Sequence, residues 1–182
     1  LESVGDIEVV AINDLTAPSM SAHLLKYDSV HGRFDADVEV VEGGLSVNGR
    51  FIRVTAERNP SDLKWGDYGV EVVLECTGIF RSKEKVQPHL DAGAGRVFVT
   101  KPPEDQIDRI IIKGINEDTI DKNDKIISTT SATTQVLALM LKVLDDDFGV
   151  KQAMMTTVHA YTSDQPLADA VRSDLRRSRS AV

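Results

Sequence analysis

Short apolar runs alternate along this chain with amphipathic ones, and the alternation predicts strands and helices in turn. "IEVVAIND" and "VEVVLECTG" are continuous apolar runs closed by polar residues, the pattern of strands covered on both faces. "GRVFVTKPP", "DRIIIKG", "KIIST" and "QAMMTTVHAYT" repeat that pattern further along. Between them, "TAPSMSAHLLKYD" predicts a short helix capped by Thr16 or Ser19. "SKEKVQPHLDAG" predicts a helix ended by Gly93, with Pro88 inside it, and "TTQVLALMLKVLDDDFG" a longer one. "DADVEVVEGGLSVNGRFIRVTAE" has a period of two instead. Gly43-Gly44 and Asn48-Gly49 make it three short antiparallel strands. "NPSDLKWGDYG" reads as a turn with one helical turn, "INEDTIDKND" as a charged surface loop, and the stretch from Ser163 on as a polar, basic loop. The first six residues read as the tail of a helix. Strands alternating with helices predict an α/β fold with a mostly parallel sheet and an antiparallel hairpin insertion.

A chain of 182 residues can bury a sizeable core as one domain or as a domain and a half. Its net charge of −8 argues against non-specific nucleic-acid or anionic-membrane binding. No apolar run approaches the roughly 20 residues needed to span a bilayer. No basic segment precedes an apolar one at the start, so no secretory signal is expected. The single cysteine, Cys76, forms no internal disulfide, and no Cys/His pair has zinc-ligand spacing, so no metal site is expected. A reducing cytosol fits best. The chain starts without methionine and stops at "RRSRSAV", which suggests part of a longer protein.

Four stretches can carry chemistry. Asp14 closes the strand of "AIND", where a carboxylate can accept hydrogen bonds from a ribose and repel a 2′-phosphate, or simply cap a helix. The Gly-rich turn that would precede such a strand is absent, so this chain alone is expected to bind a dinucleotide weakly. Thr77 and Gly78 end a strand where ligands of open α/β sheets sit, while Cys76 beside them reads as a small buried hydrophobe. "IISTTSATTQ" is a strand-to-helix turn of the kind that holds a nucleophile, yet its middle residue is Ala132. His159 ends "TTVH", where a histidine can act as base or pack as a structural residue. The hydroxyls of Ser131, Thr133 and Thr134, with Thr162 and Asp164 beyond the histidine, favour the functional reading. Arg176, Arg177 and Arg179 could grip a phosphate through paired donors or line a solvated loop.

At these residues the chain resembles the glyceraldehyde-3-phosphate dehydrogenase family of the phosphorylating type. The strings "VVAINDLT", "HLLKYDSVHGRF", "NGRFI", "LKWGDYGVEVVLECTGIF", "HLDAGAGRV", "TTVHAYTSDQ" and "DLRRSR" run in family order from one end to the other. The resemblance covers nearly all of this chain but only a little over half of a full family subunit. It implies a Rossmann-type NAD-binding domain over residues 1–130, without its first strand and Gly-rich loop. The start of an α+β catalytic domain would follow over 131–182. The family forms a thiohemiacetal from a catalytic cysteine, passes hydride to NAD and releases the acyl group to inorganic phosphate. The resemblance therefore implies glyceraldehyde 3-phosphate and phosphate as partners, a place in glycolysis, a cytoplasmic location and a homotetramer.

The family motif around the nucleophile, Ala-Ser-Cys-Thr-Thr-Asn, reads here Thr130, Ser131, Ala132, Thr133, Thr134, Gln135. The resemblance puts His159 at the base position. It puts Ser131, Thr133, Thr162, Asp164 and Arg179 around the substrate and its phosphates, and Asn13, Asp14, Thr77, Gly78 and Thr100 beside the cofactor. The usual Ser-Ala-Pro after the third strand has become Thr100, Lys101, Pro102. An aldehyde gives no good hydride until a nucleophile has made it tetrahedral, so Ala132 implies no useful dehydrogenase activity. Two alternatives remain, a non-catalytic scaffold or binding subunit, and altered aldehyde chemistry in the same pocket.

Overall fold

The computed structural model describes residues 7–182; the helix tail expected over the first six lies outside them. Three strands follow the period-two stretch: β4 (Val38–Val41), β5 (Gly44–Val47) and β6 (Arg50–Thr55), paired antiparallel in sequence. The turn between β5 and β6 has Asn48 and Gly49 both at positive φ, +50° and +78°, the tight-turn geometry that the Asn-Gly pair predicts. β1 (Ala11–Asn13) joins the free side of β6 in parallel, giving the order β1-β6-β5-β4. Helix α1 (Pro18–Lys26) packs on β4 and β5 and buries Ala22 against Val38 and Leu45. Its N-cap is Ala17, with no side-chain cap, rather than Thr16 or Ser19. Pro18 sets the first helical residue there, and the Thr16 hydroxyl is 3.2 Å from that of Ser21 instead. A short ribbon of β2 (Tyr27–Asp28) and β3 (Gly32–Arg33) follows α1, and the sequence pattern gave no sign of it.

The second sheet is wholly parallel: β7 (Val72–Glu75), β8 (Arg96–Val99), β10 (Ile126–Ser128) and β9 (Arg109–Ile110), in the order β7-β8-β10-β9. Helix α2 (Lys83–Asp91) is the crossover between β7 and β8 and runs unbroken through Pro88. Ser82 caps its start through the Lys85 amide, and Gly93 at φ +102° ends it. A Cβ on Gly93 would stand 2.6 Å from the Gly66 nitrogen, so this helix end must be glycine for space as well as for φ. Trp65, Val73, Val86, Val97, Val99 and Ile126 form the core between α2 and the sheet, and Ala11 of β1 packs against it. Each side chain so buried contributes roughly 1.5–3 kcal/mol.

Two strand expectations change. β7 is not covered on both faces: Val73 and Glu75 point inward, while Val72 and Leu74 are exposed. Cys76 falls on the outward side of this alternation and is exposed, not a buried hydrophobe. The stretch "QAMMTTVHAYT" forms no ladder, and Met154 and Val158 are 96% and 99% exposed. An apolar run becomes a strand only when a neighbouring strand takes up its backbone groups, and none among the described residues does. The chain divides into two compact units, one up to Lys142 and one over Val143–Val182. Helix α3 (Ala132–Phe148) begins in the first and ends in the second. The stretch from Ser163 on is an irregular loop, as its polar composition predicts.

Candidate functional site

The register of the parallel sheet aligns Glu75, Val99 and Ser128 across β7, β8 and β10. The residues just beyond them, Thr77-Gly78, Thr100-Lys101 and Thr130-Ser131-Ala132, therefore emerge together at the carboxyl edge. This is the edge where ligands of open α/β sheets bind.

Three devices shape that edge. Ser128 is fully buried; its hydroxyl donates to the Lys101 carbonyl (2.9 Å) and accepts from the Thr130 amide (2.9 Å), which ties β8 to the turn before α3. Thr130 is held at φ +57°, a left-handed conformation that costs a β-branched residue about 1–2 kcal/mol. Ser131 then caps α3: its hydroxyl accepts from the Thr134 amide (3.1 Å) and lies 2.7 Å from the Thr134 hydroxyl. Gln135 reaches back to donate to the Thr129 carbonyl at 2.7 Å. Ala132, the first residue of α3, is exposed at the positive end of the helix dipole. Such a position would lower the pKa of a thiol, but the side chain here is a methyl group.

At the end of β7, Glu75 is 4% exposed and its Oε1 accepts both the amide (2.7 Å) and the hydroxyl of Thr77. The Thr77 hydroxyl in turn accepts from the Ile79 amide at 3.2 Å, closing a turn around Gly78 at φ +73°. The Glu75 carbonyl accepts from the amide and the hydroxyl of Thr100, both at 3.1 Å. Behind Glu75 stands His89, also buried, with Nε2 3.3 Å from Oε2. That approach is long and poorly aligned for a hydrogen bond, and Nε2 has no other partner. Trp65 Nε1 donates to His89 Nδ1 at 3.1 Å. Burial alone would push the Glu75 carboxyl up, but the facing His89 ring and the bonds from Thr77 outweigh it and hold the group below the usual carboxylate range. Sequence reasoning passed over this network. Its signal was a carboxylate two residues after Val73 on the inward face of a strand, with His89 three residues after buried Val86 on α2.

Asn13 and Asp14 end β1. The Asn13 side chain is used within the fold, accepting from Thr55 and Glu57 and donating to the Glu57 carbonyl. Asp14 is exposed, and its Oδ1 accepts from the Thr16 amide at 2.9 Å. Thr133 follows Ala132 in the first turn of α3.

The remaining expected residues belong to the second unit. His159 is exposed, and its Nδ1 contacts the Ala160 carbonyl. Thr162 donates its amide and hydroxyl to Gln165 Oε1, at 2.7 and 3.0 Å. Arg179 is paired with Asp169, whose other oxygen accepts from the Ser180 amide. The amides of Arg176 and Arg177 both donate to Asp174 at 2.9 Å, so the arginines sit on a loop folded around two acidic residues. Among the described residues no group of three or more His, Cys, Asp or Glu is arranged to hold a metal ion. No helix among them is long and apolar enough to cross a membrane.

Residues 1–83 match a family model described as the glyceraldehyde 3-phosphate dehydrogenase NAD binding domain, and residues 131–182 match the C-terminal domain of the same family. Among curated proteins the chain is 51% identical over 178 residues to a glyceraldehyde-3-phosphate dehydrogenase of Priestia megaterium, covering 97% of this chain and 53% of that protein. It is 50% identical over 178 residues to glyceraldehyde-3-phosphate dehydrogenase 1 of Bacillus subtilis, again 97% and 53%. With that of Streptomyces coelicolor it shares 47% over 183 residues, all of this chain and 54% of the other. The chain thus spans about half the length of the curated relatives it matches.

Proposed function

The chain belongs to the glyceraldehyde-3-phosphate dehydrogenase family, and from that premise we propose that it binds NAD and a phosphorylated aldehyde without oxidising it. One observation carries this reading: a methyl group, Ala132, stands at the helix start where the family's thiolate attacks. In the family reaction the cysteine sulfur adds to the aldehyde carbon, a hydride leaves that carbon for NAD, and phosphate displaces the thiol from the acyl group. Without the sulfur no C–S bond forms, and the carbon keeps its hydrogen. The neighbouring hydroxyls are no substitute, because Ser131 is committed to capping α3 and an unactivated hydroxyl is a far weaker nucleophile than a thiolate.

NAD is the cofactor of this reading: the Thr77-Gly78 turn and Thr100 border it at the sheet edge, and Asp14 takes the ribose hydroxyls. His159 stands as the base left without a nucleophile to serve, Thr133, Thr162 and Asp164 lie around the substrate phosphates, and Arg179 grips the substrate phosphate. We place the NAD-binding part at residues 1–130 and the start of the catalytic part at 131–182, in a cytoplasmic homo-oligomer.

A second reading, a scaffold or binding subunit, is favoured by the turn itself. Thr130, Ala132 and Gln135 all depart from the family motif, and Gln135 and Ser131 satisfy the turn internally. NADH formation by the full-length protein from glyceraldehyde 3-phosphate, NAD and phosphate tests the proposal. Background turnover with calorimetric binding of NAD is expected; turnover by the Ala132 form would overturn it.

A further inference from the structure

The cofactor-side turn has no rigid scaffold of its own. Thr77, Gly78 and Ile79 lie beyond the last ladder bond of β7, and Thr77 and Ile79 are exposed. What fixes them is the single oxygen Oε1 of Glu75, which takes the amide and hydroxyl of Thr77 while that hydroxyl takes the Ile79 amide. The same residue's carbonyl holds Thr100 on the adjacent strand end.

The orientation of that residue is itself determined. The indole of Trp65 can only donate, so His89 Nδ1 must present its lone pair and the ring carries its proton on Nε2, facing Glu75. The ring cannot turn freely: Trp65 stacks on it at 6.3 Å and Phe80 meets it edge-on at 6.0 Å. Donors therefore face both carboxylate oxygens of Glu75: the Thr77 groups bond Oε1, and the His89 Nε2 proton faces Oε2 at 3.3 Å as a charge contact without an aligned hydrogen bond. A carboxylate suits both sides, by hydrogen bonds on Oε1 and by charge on Oε2. A carboxamide cannot, since its NH2 must face either His89 or the Thr77 amide, donor against donor.

From this geometry we propose that the Glu75 side chain, oriented by the Trp65–His89 pair, is the positioning group that folds the Thr77–Gly78–Ile79 turn for the nicotinamide cofactor. The assignment rests on the NAD reading above.

The test uses the full-length protein with two measurements, amide hydrogen exchange at Thr77 and Ile79 without ligand, and NAD affinity by calorimetry. Glu75→Gln is expected to lower Thr77 protection and to weaken NAD binding, each by about tenfold, the usual consequence of losing a charged acceptor. Adding Trp65→Phe to Glu75→Gln frees Nδ1 to take the proton, so that Nε2 can accept from the carboxamide. The double variant should recover part of the loss although it removes one more native bond, a result that loss of core packing alone would not give. Unchanged Thr77 protection, unchanged NAD affinity, or a double variant no better than Glu75→Gln would overturn the proposal. If Glu75→Gln does not fold, Trp65→Phe alone carries the test: a two- to threefold loss of Thr77 protection is expected, and none overturns it. If the unsubstituted protein binds no NAD, the cofactor reading fails, while the exchange measurement still decides whether Glu75 sets the turn.

Discussion

Removing the Ser128 hydroxyl is the sharpest probe of how the turn before α3 is held. Ser128→Ala deletes one oxygen from a site with no solvent exposure and breaks two bonds at once, the donation to Lys101 O and the acceptance from Thr130 N, both 2.9 Å. A buried group left unpaired costs about 1–3 kcal/mol. Two such groups would suggest more than a single loss, but Thr130 is strained at φ +57°, and releasing the turn returns about 1–2 kcal/mol of that strain. The difference is a net loss of about 2 kcal/mol. For a chain of this size each kcal/mol moves Tm by about 2–4 °C, so thermal unfolding followed by circular dichroism should shift down by about 4–8 °C. Exchange of the Thr130 amide should quicken well before global unfolding. A Tm within about 1 °C of the parent, with Thr130 still protected, would refute the claim that this hydroxyl fixes the turn.

Two further outcomes follow from the same structure. Thr130→Asn puts a residue that tolerates the left-handed region at that position and should raise Tm by about 2–4 °C in thermal unfolding, with no rise counting against strain there. The carboxyls of Glu75, Asp108 and Asp124 are all held below their ordinary range. For Glu75 and Asp108, bonds to neighbours outweigh burial, and for Asp124 the main cause is the bond from Arg109. A depressed folded pKa gives stability that is fully present above the unfolded value and lost as pH falls through the folded one. Tm should therefore stay level from neutrality down to about pH 5 and decline below about pH 4, and a decline that begins near pH 6 would contradict it.

The hairpin of β4, β5 and β6 was legible because Asn48-Gly49 has one good use, a tight turn at positive φ, and the alternation on either side fixes which residues face the core. The parallel strands were legible for a similar reason, as Val97, Val99, Ile126 and Ile127 are apolar whichever way they face. What the pattern hid was context. Leu74 and Val72 look buried by composition but lie on a face left open, and the run around Met154 has no ladder partner among the described residues to make it a strand. That Thr77, Gly78, Thr100, Ser131, Ala132 and Thr133 lie along one sheet edge follows from strand ends and register. The polar groups that hold them did not. Ser128, Glu75 and His89 each occupy a core position in an apolar pattern, and only the packing shows why a polar atom is kept there.

The central claim is that the chain keeps the family's motifs but not the family's nucleophile, and restoring the nucleophile tests it most directly. Ala132 is exposed at the first position of α3, so a cysteine fits there without displacing core atoms. NADH formation from glyceraldehyde 3-phosphate, NAD and phosphate should then be measured for the full-length Ala132→Cys variant beside its parent. A rise of at least three orders of magnitude over a near-background parent is the predicted result, the scale on which enzymes lose rate when a covalent nucleophile is removed. A parent that already turns over at a comparable rate would contradict the account, as would a folded Cys variant that binds NAD and gains nothing.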